Sequence, residues 1–208
     1  MRIRAFILIF VLGVFALSCD ETKTTKNSSG TSGVKKGVAP VADSEVAVIE
    51  MENSSAYGTI TIELYSNIAP KMVARFKELA KEGVYNGTSF HRINQSVVQG
   101  GDPNSKDDDP LNDGMGGSDK PNVPAEFSDI PYDSGIVGAA RSQDINSSNS
   151  QFFITLKREA AFDNKYTIFG KVIDGMNNVR TISGVSPKEG ERPVEAIKIK
   201  SVTIKPKG

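Results

Sequence analysis

Residues 45–64 read EVAVIEMENSSAYGTITIEL. In EVAVIEME and again in YGTITIEL, apolar and polar residues alternate with period two, so each run offers one face to a core and the other to solvent. That is the pattern of antiparallel strands, and the Asn-Ser-Ser-Ala link between them predicts a hairpin. The next segment, NIAPKMVARFKELAKEGVYNG (67–87), changes period. Met72, Val73, Phe76, Leu79 and Ala80 fall on one helical stripe, with Pro70 suited to the first turn and Gly83 to the stop.

Further strands are predicted over 88–93, 96–99, 135–141, 151–156, 166–173 and 195–204. Between the last two, Met176, Val179 and Ile182 recur at helical spacing, with Asp174 as a candidate cap. The sum is a mainly β fold: a closed eight-stranded antiparallel β-barrel capped by two α-helices, because closure removes edge strands.

The chain is 208 residues long, enough for one ordinary domain and a tail. Lysine plus arginine and aspartate plus glutamate both number 25, which leaves no basic excess to neutralise a phosphate backbone and argues against nucleic acid as a partner. One cysteine, Cys19, excludes a disulfide framework or a thiolate metal site. Arg2, Arg4 and the apolar run 5–17 have signal-peptide length, short of the ~20 residues that span a bilayer. Ser18-Cys19 after that run resembles a bacterial lipoprotein signal, with lipidation at Cys19; an uncleaved anchor and plain secretion are the alternatives. Residues 1–18 are therefore read as a signal peptide, 19–44 as a flexible tether rich in Ser, Thr, Lys and Gly, and 45–208 as the folded domain, a monomer.

The stretch SFHRINQSVVQGGD (89–102) holds the only histidine, His91, beside Arg92. No second histidine or credible nucleophile accompanies it, so a triad or metal site has no support and a structural histidine is the better reading. The aspartates of 102–119 do not fit a calcium loop: counted from Asp102, Lys106 falls at position five and Asp107 where glycine is required. A solvated acidic loop is the expectation. Strand parity in NSSNSQFFITL sends Gln151 and Phe153 to one face and Phe152 and Ile154 to the other; in SVVQ, Val97 and Gln99 share a face opposite Val98. An apolar floor rimmed by amides outlines a peptide pocket.

Four motifs, FHRI…QGGDP, the glycines at 114–117, NSSNSQFFITL and FDNKYTIFGKVIDGMNNV, occur in the order and spacing that resemble the cyclophilin family of peptidyl-prolyl cis/trans isomerases, over about residues 45–205. The resemblance implies a barrel with a groove on its outer surface. It puts Arg92 at the catalytic arginine, Gln99 beside it and Phe153 under the proline ring. Val97, Gln151, Phe162 and Tyr166 fall on further groove positions, and Ala140 and Arg141 on the strand whose backbone pairs with the peptide. Two departures follow. The run from Arg92 to Gln99 is one residue short of the family pattern, and Ser96 stands where a pocket aromatic is usual, predicting a shallower pocket by ~1–3 kcal/mol of apolar contact.

Rotation about an X-Pro amide breaks no covalent bond, so no base, nucleophile, metal or cofactor is called for. An arginine donor to the prolyl nitrogen stabilises the twisted amide selectively, since the planar form offers that nitrogen's lone pair to the carbonyl instead. The implied function is a cofactor-free isomerase acting on proline-containing unfolded or flexible polypeptides outside the cytoplasm, held at a membrane by its lipid. The alternative is a peptide-binding or protein-binding lipoprotein on the same scaffold with weak or lost catalysis.

Overall fold

The computed structural model describes residues 33–185 and 191–208. The signal peptide and Cys19 lie outside the described residues. Eight strands make one antiparallel sheet: β1 (Glu45–Met51), β2 (Thr59–Leu64), β3 (Arg92–Ile93), β4 (Val97–Gly100), β5 (Ile136–Ala139), β6 (Phe152–Thr155), β7 (Ile168–Asp174) and β8 (Ile199–Pro206), in the order β3-β4-β6-β5-β7-β2-β1-β8. The 45–64 hairpin forms as its alternation requires, with Val48 opposite Thr61 and Ile49 opposite Ile60. Its link is a single helical turn, α1 (Ser54–Tyr57), capped by the Asn53 side chain accepting from the Ala56 amide.

Helix α2 (Pro70–Lys81) buries Met72, Val73, Phe76, Leu79 and Ala80, the stripe read from the sequence. Helix α3 (Met176–Ser183) buries Val179 and Ile182. Its cap is Gly175 rather than Asp174, which ends β7; Gly175 has φ 83°, and a Cβ there would lie 3.0 Å from Ile60 Cα and closer still to the Thr59 carbonyl.

The expected closed barrel is instead a curled sheet with β3 and β8 at its edges. Those edges meet outside the named strands, at one bridge, Ser89 to Lys198, flanked by hydrogen bonds from Gly87 N to Ile199 O, Phe90 N to Ile197 O and Ile199 N to Thr88 O. The ladder is irregular because its donors are diverted: the Ser89 amide donates to Ser105 Oγ, and the Thr88 amide to the Tyr85 carbonyl.

Strand parity holds in β4 and β6. Phe152, Ile154 and Val98 enter the inner core, where Phe76, Tyr85, Phe90 and Phe169 also pack. Phe153 and Val97 enter a second apolar cluster with Tyr65, Ile68, Tyr132, Ile136 and Ile168. The tether was expected to run to Ser44, but residues 33–44 are docked. Lys35 pairs by its backbone with Phe127 and Asp129 and donates from Nζ to the Ile68 carbonyl, while Asp43 accepts from Ser66 and from Lys77 Nζ at 2.6 Å. Composition concealed this because the contacts are polar and point to partners far along the chain.

Candidate active site

Sheet register lines up the groove. Arg92 on β3 is opposite Gln99 on β4, Gln99 is opposite Phe153 on β6, and Phe153 is opposite Gly138 on β5. A strand places every second residue on one face, so Val97 joins Gln99 and Phe153 on the outer side of the sheet. The hairpin turn that aims Arg92 is built by Asn94, whose Oδ1 accepts from the amides of Ser96 and Val97 at 2.8 and 2.9 Å. Such an Asx arrangement suits a short turn.

The polar half of the site is an oriented relay. Arg92 Nη1 donates to Gln99 Oε1 (3.1 Å), Gln99 Nε2 to Gln151 Oε1 (3.0 Å), and Gln151 Nε2 to the Gly116 carbonyl (2.8 Å). Each amide thus has its oxygen and nitrogen assigned. Arg92 Nε is held by Glu191 Oε2 at 2.6 Å, and Asn94 Nδ2 donates to the same carboxylate at 3.1 Å. Among the described residues Arg92 Nη2 has no partner, which leaves it free to donate into the groove.

The apolar half surrounds the Phe153 ring. Tyr132 stacks on it with centroids 5.8 Å apart, and Phe162 and Tyr166 meet it edge-on, both at 5.6 Å. Arg141 lies 4.6 Å over the Tyr166 ring and is fixed there by donating from Nε and Nη2 to the Lys165 carbonyl. The turn carrying Phe162 and Tyr166 contains Asn164 at φ 59°, a conformation that asparagine tolerates. Asp163 braces it by accepting from the Tyr132 amide and from Arg158; the Arg158 hydrogen bond holds this carboxyl below its ordinary value.

A cleft of about 270 Å³ brings together Arg92, Val97, Gln99, Ala140, Arg141, Phe153, Phe162 and Tyr166, all named from the sequence. Gln151 stands one step behind, in an adjoining hollow beyond Gln99 and Ala140. His91, Asp113 and Arg192 also line the cleft and were not expected there. His91 is buried, as a structural histidine should be, yet neither ring nitrogen makes a hydrogen bond of normal geometry, although the Ser89 backbone and the Gln151 amide lie near. Asp102 is fully buried rather than solvated: it accepts from the amides of Asn104, Gly114 and Gly116 and so folds the acidic loop back on the site. Glu191 carried no signal in the sequence, being 99 positions from the arginine it holds. Among the described residues no group of three or more His, Cys, Asp or Glu side chains could hold a metal.

Residues 48–204 match the family described as cyclophilin type peptidyl-prolyl cis-trans isomerase/CLD. The chain belongs to the cyclophilin-type peptidyl-prolyl cis-trans isomerases. Among curated cyclophilins it is 42% identical to a probable peptidyl-prolyl cis-trans isomerase of Brucella suis over 152 residues, 71% of this chain and 78% of that one. It is 36% identical to the human peptidyl-prolyl cis-trans isomerase-like 1 over 149 residues, 70% and 86% of the two chains. A cyclophilin crystal structure from Cryptosporidium parvum, determined in the presence of the dipeptide Ala-Pro, superposes with a TM-score of 0.69 at 30% identity, covering 78% of this chain and 99% of that one. The eight-stranded antiparallel architecture is thus that of a cyclophilin.

Proposed function

We propose that this cyclophilin catalyses rotation about X-Pro bonds in unfolded or flexible segments of extracytoplasmic polypeptides, as a monomer and without a cofactor. The observation that carries the reading is the single row in which Arg92, with Nη2 free, stands beside the aromatic cleft over Phe153. Proline enters the apolar cleft. The acyl side turns, and Arg92 Nη2 donates to the prolyl nitrogen as its lone pair leaves conjugation. An acceleration of about five powers of ten requires roughly 7 kcal/mol, whereas one charge-assisted hydrogen bond contributes ~1.5–3 kcal/mol. The remainder falls to the ring cluster, which holds proline still while its partner rotates.

Isomerisation of a proline tetrapeptide by the full chain tests this. Arg92→Ala should lose about 10- to 150-fold in kcat/KM, the equivalent of that hydrogen bond, with little change in thermal stability. Full activity in Arg92→Ala would refute the arginine mechanism. One observation favours a second reading, a peptide-binding protein with weak catalysis: Arg92 is engaged by Glu191 at 2.6 Å. Peptide binding without turnover by the folded protein would establish that reading instead. We place the protein outside the cytoplasm on the strength of residues 1–19, with lipid on Cys19 anchoring it to a membrane. Cys19→Ala should abolish lipid labelling and release it from membranes; a variant that stays bound would point to an uncleaved anchor.

A further inference from the structure

Beside the cleft over Phe153 lies a second, larger one of about 560 Å³, between the acidic loop 107–113 and the segment 192–198. Its walls include Phe90, Pro110, Leu111, Pro193 and Val194, and two of these are unusually bare: Leu111 is 79% exposed and Val194 62%. Apolar side chains left in water on facing walls of a cleft are material for a ligand.

The charges of this cleft are unevenly satisfied. Arg192 is ion-paired with Asp113 at 3.5 Å, while Lys198 Nζ donates to the neutral Lys106 carbonyl at 3.2 Å and keeps its charge. The Asp107 carboxylate accepts only from its own loop, from the Asp109 amide and Asn112 Nδ2, and Asp108 has no hydrogen bond or ion pair among the described residues. Three carboxylates, Asp107, Asp108 and Asp113, line the cleft with two cations, Arg192 and Lys198, so its net charge is negative.

A second observation points to a ligand. His91 is only 5% exposed, lines both clefts, and neither ring nitrogen has a hydrogen bond of normal geometry, the Ser89 backbone and the Gln151 amide lying near but poorly aligned. A buried polar group without a partner costs stability, so its retention where two clefts join calls for an explanation. Burial, opposed by the Asp102 charge, keeps this imidazole below its ordinary value and hence neutral at neutral pH, with one nitrogen to donate and one to accept. His91, Asp113 and Arg192 are common to the two clefts, so the second continues the first.

We infer that this cleft is a further substrate subsite, which takes a lysine or arginine side chain a few residues to one side of the proline. The aliphatic stem lies on Leu111 and Val194, and the charge meets Asp107 and Asp108. An extended chain advances ~3.3–3.6 Å per residue, so a cleft adjoining the proline site is reached within a few residues. The inference rests on the isomerase reading and narrows it to polypeptides bearing basic residues near proline.

The test uses proline hexapeptides with Lys, Glu or Ala stepped through every position on both sides of the X-Pro bond, and kcat/KM measured on the full chain. Lysine should exceed glutamate by about fivefold, the worth of a partly exposed charge pair, at positions on one side only, and less as salt rises. The double variant Asp107→Asn with Asp108→Asn should erase that preference while leaving the alanine peptide unchanged. Equal rates, or a preference that survives in the variant, would overturn the inference. If no peptide is turned over, the isomerase reading fails first, and affinity decides. Lysine peptide bound more tightly than glutamate peptide, by nuclear magnetic resonance titration and only without the substitutions, supports the subsite; equal affinity overturns it. Dimerisation dispersed by Leu111→Ser would assign the cleft to a second copy of the chain and likewise overturn it.

Discussion

Gly138 stands opposite Phe153 across the β5–β6 ladder, and its missing side chain shapes the proline site. A Cβ at this position would lie 2.7 Å from Tyr132 Oη and 2.8 Å from Phe153 Cε2, with Phe153 Cζ closer still. Carbon atoms settle at ~3.5–4.0 Å, so the Phe153 ring must retreat by about 1 Å in Gly138→Ala. Tyr132, Phe162 and Tyr166 close three sides of that ring, all with centroids within 5.8 Å, and the open side is the cleft. The ring therefore moves into the space that proline needs. Overpacking of this kind costs ~1–3 kcal/mol, or a melting temperature lower by about 2–12 °C for a domain of this size. We expect kcat/KM on a proline tetrapeptide to fall about tenfold, with Arg92, Gln99 and Gln151 untouched and the Phe153 ring resonances displaced. Tyr132→Phe removes one of the two clashes together with a buried hydroxyl that has no partner, and should restore part of the loss in the double variant. Unchanged activity and unchanged Phe153 resonances in Gly138→Ala would refute the reasoning.

Glu191→Gln should lower kcat by about two- to fivefold with KM nearly unchanged, because it frees one end of the Arg92 guanidinium; a rise in kcat would mean that Glu191 obstructs the arginine. Its effect on stability should stay within about 0.5 kcal/mol, since the pair is close to half exposed. The depressed value of His91 means that the unfolded chain binds the proton more tightly than the fold does. Urea unfolding should therefore show stability held above the ordinary histidine value of 6.5 and lost as pH falls below it, and His91→Gln should flatten that decline. For Asp43, burial would raise the carboxyl, but hydrogen bonds from Lys77 and Ser66 outweigh it and hold the value down. Asp43→Asn should cost about 1–2 kcal/mol in thermal unfolding and open residues 33–44 to proteolysis, leaving isomerisation unchanged; a protected segment would show that the backbone bonds of Lys35 suffice to dock it.

What the sequence revealed, it revealed through period. Alternation over 45–64 and helical spacing over 70–81 are local consequences of burying one face, so strands, helix and the opposite facing of Phe152 and Phe153 were legible before any contact was known. Parity alone put Val97 with Gln99 on one face and Gln151 with Phe153 on another strand's face; the remaining groove residues followed from the family resemblance, since Ala140, Arg141, Phe162 and Tyr166 lie outside the strands. Closure was not legible: whether edge strands join depends on where a few donors go, and the Ser89 amide goes to Ser105. Glu191 was not legible either, since one carboxylate meeting an arginine 99 positions away leaves no periodic trace. The docking of 33–44 was hidden for the same reason, its anchor being a pair of charges, Asp43 and Lys77, 34 positions apart.

The sheet order has a consequence for how the protein is made. β1, the first strand, lies between β2 and β8, the last, and Glu50 is joined to Lys200 across 150 positions. A chain emerging from the ribosome amino end first can pair β1 with β2 early, but its other edge stays bare until residues 199–206 have been synthesised. Sealing of the sheet is thereby deferred until β8 has emerged, as expected where the contacts that seal a fold are the most distant in sequence. Until then the nascent protein keeps an unpaired strand edge, available to a chaperone or to a neighbouring chain. Prematurely terminated products lacking β8 would carry that edge permanently and are expected to be cleared or to aggregate rather than accumulate as partial isomerases.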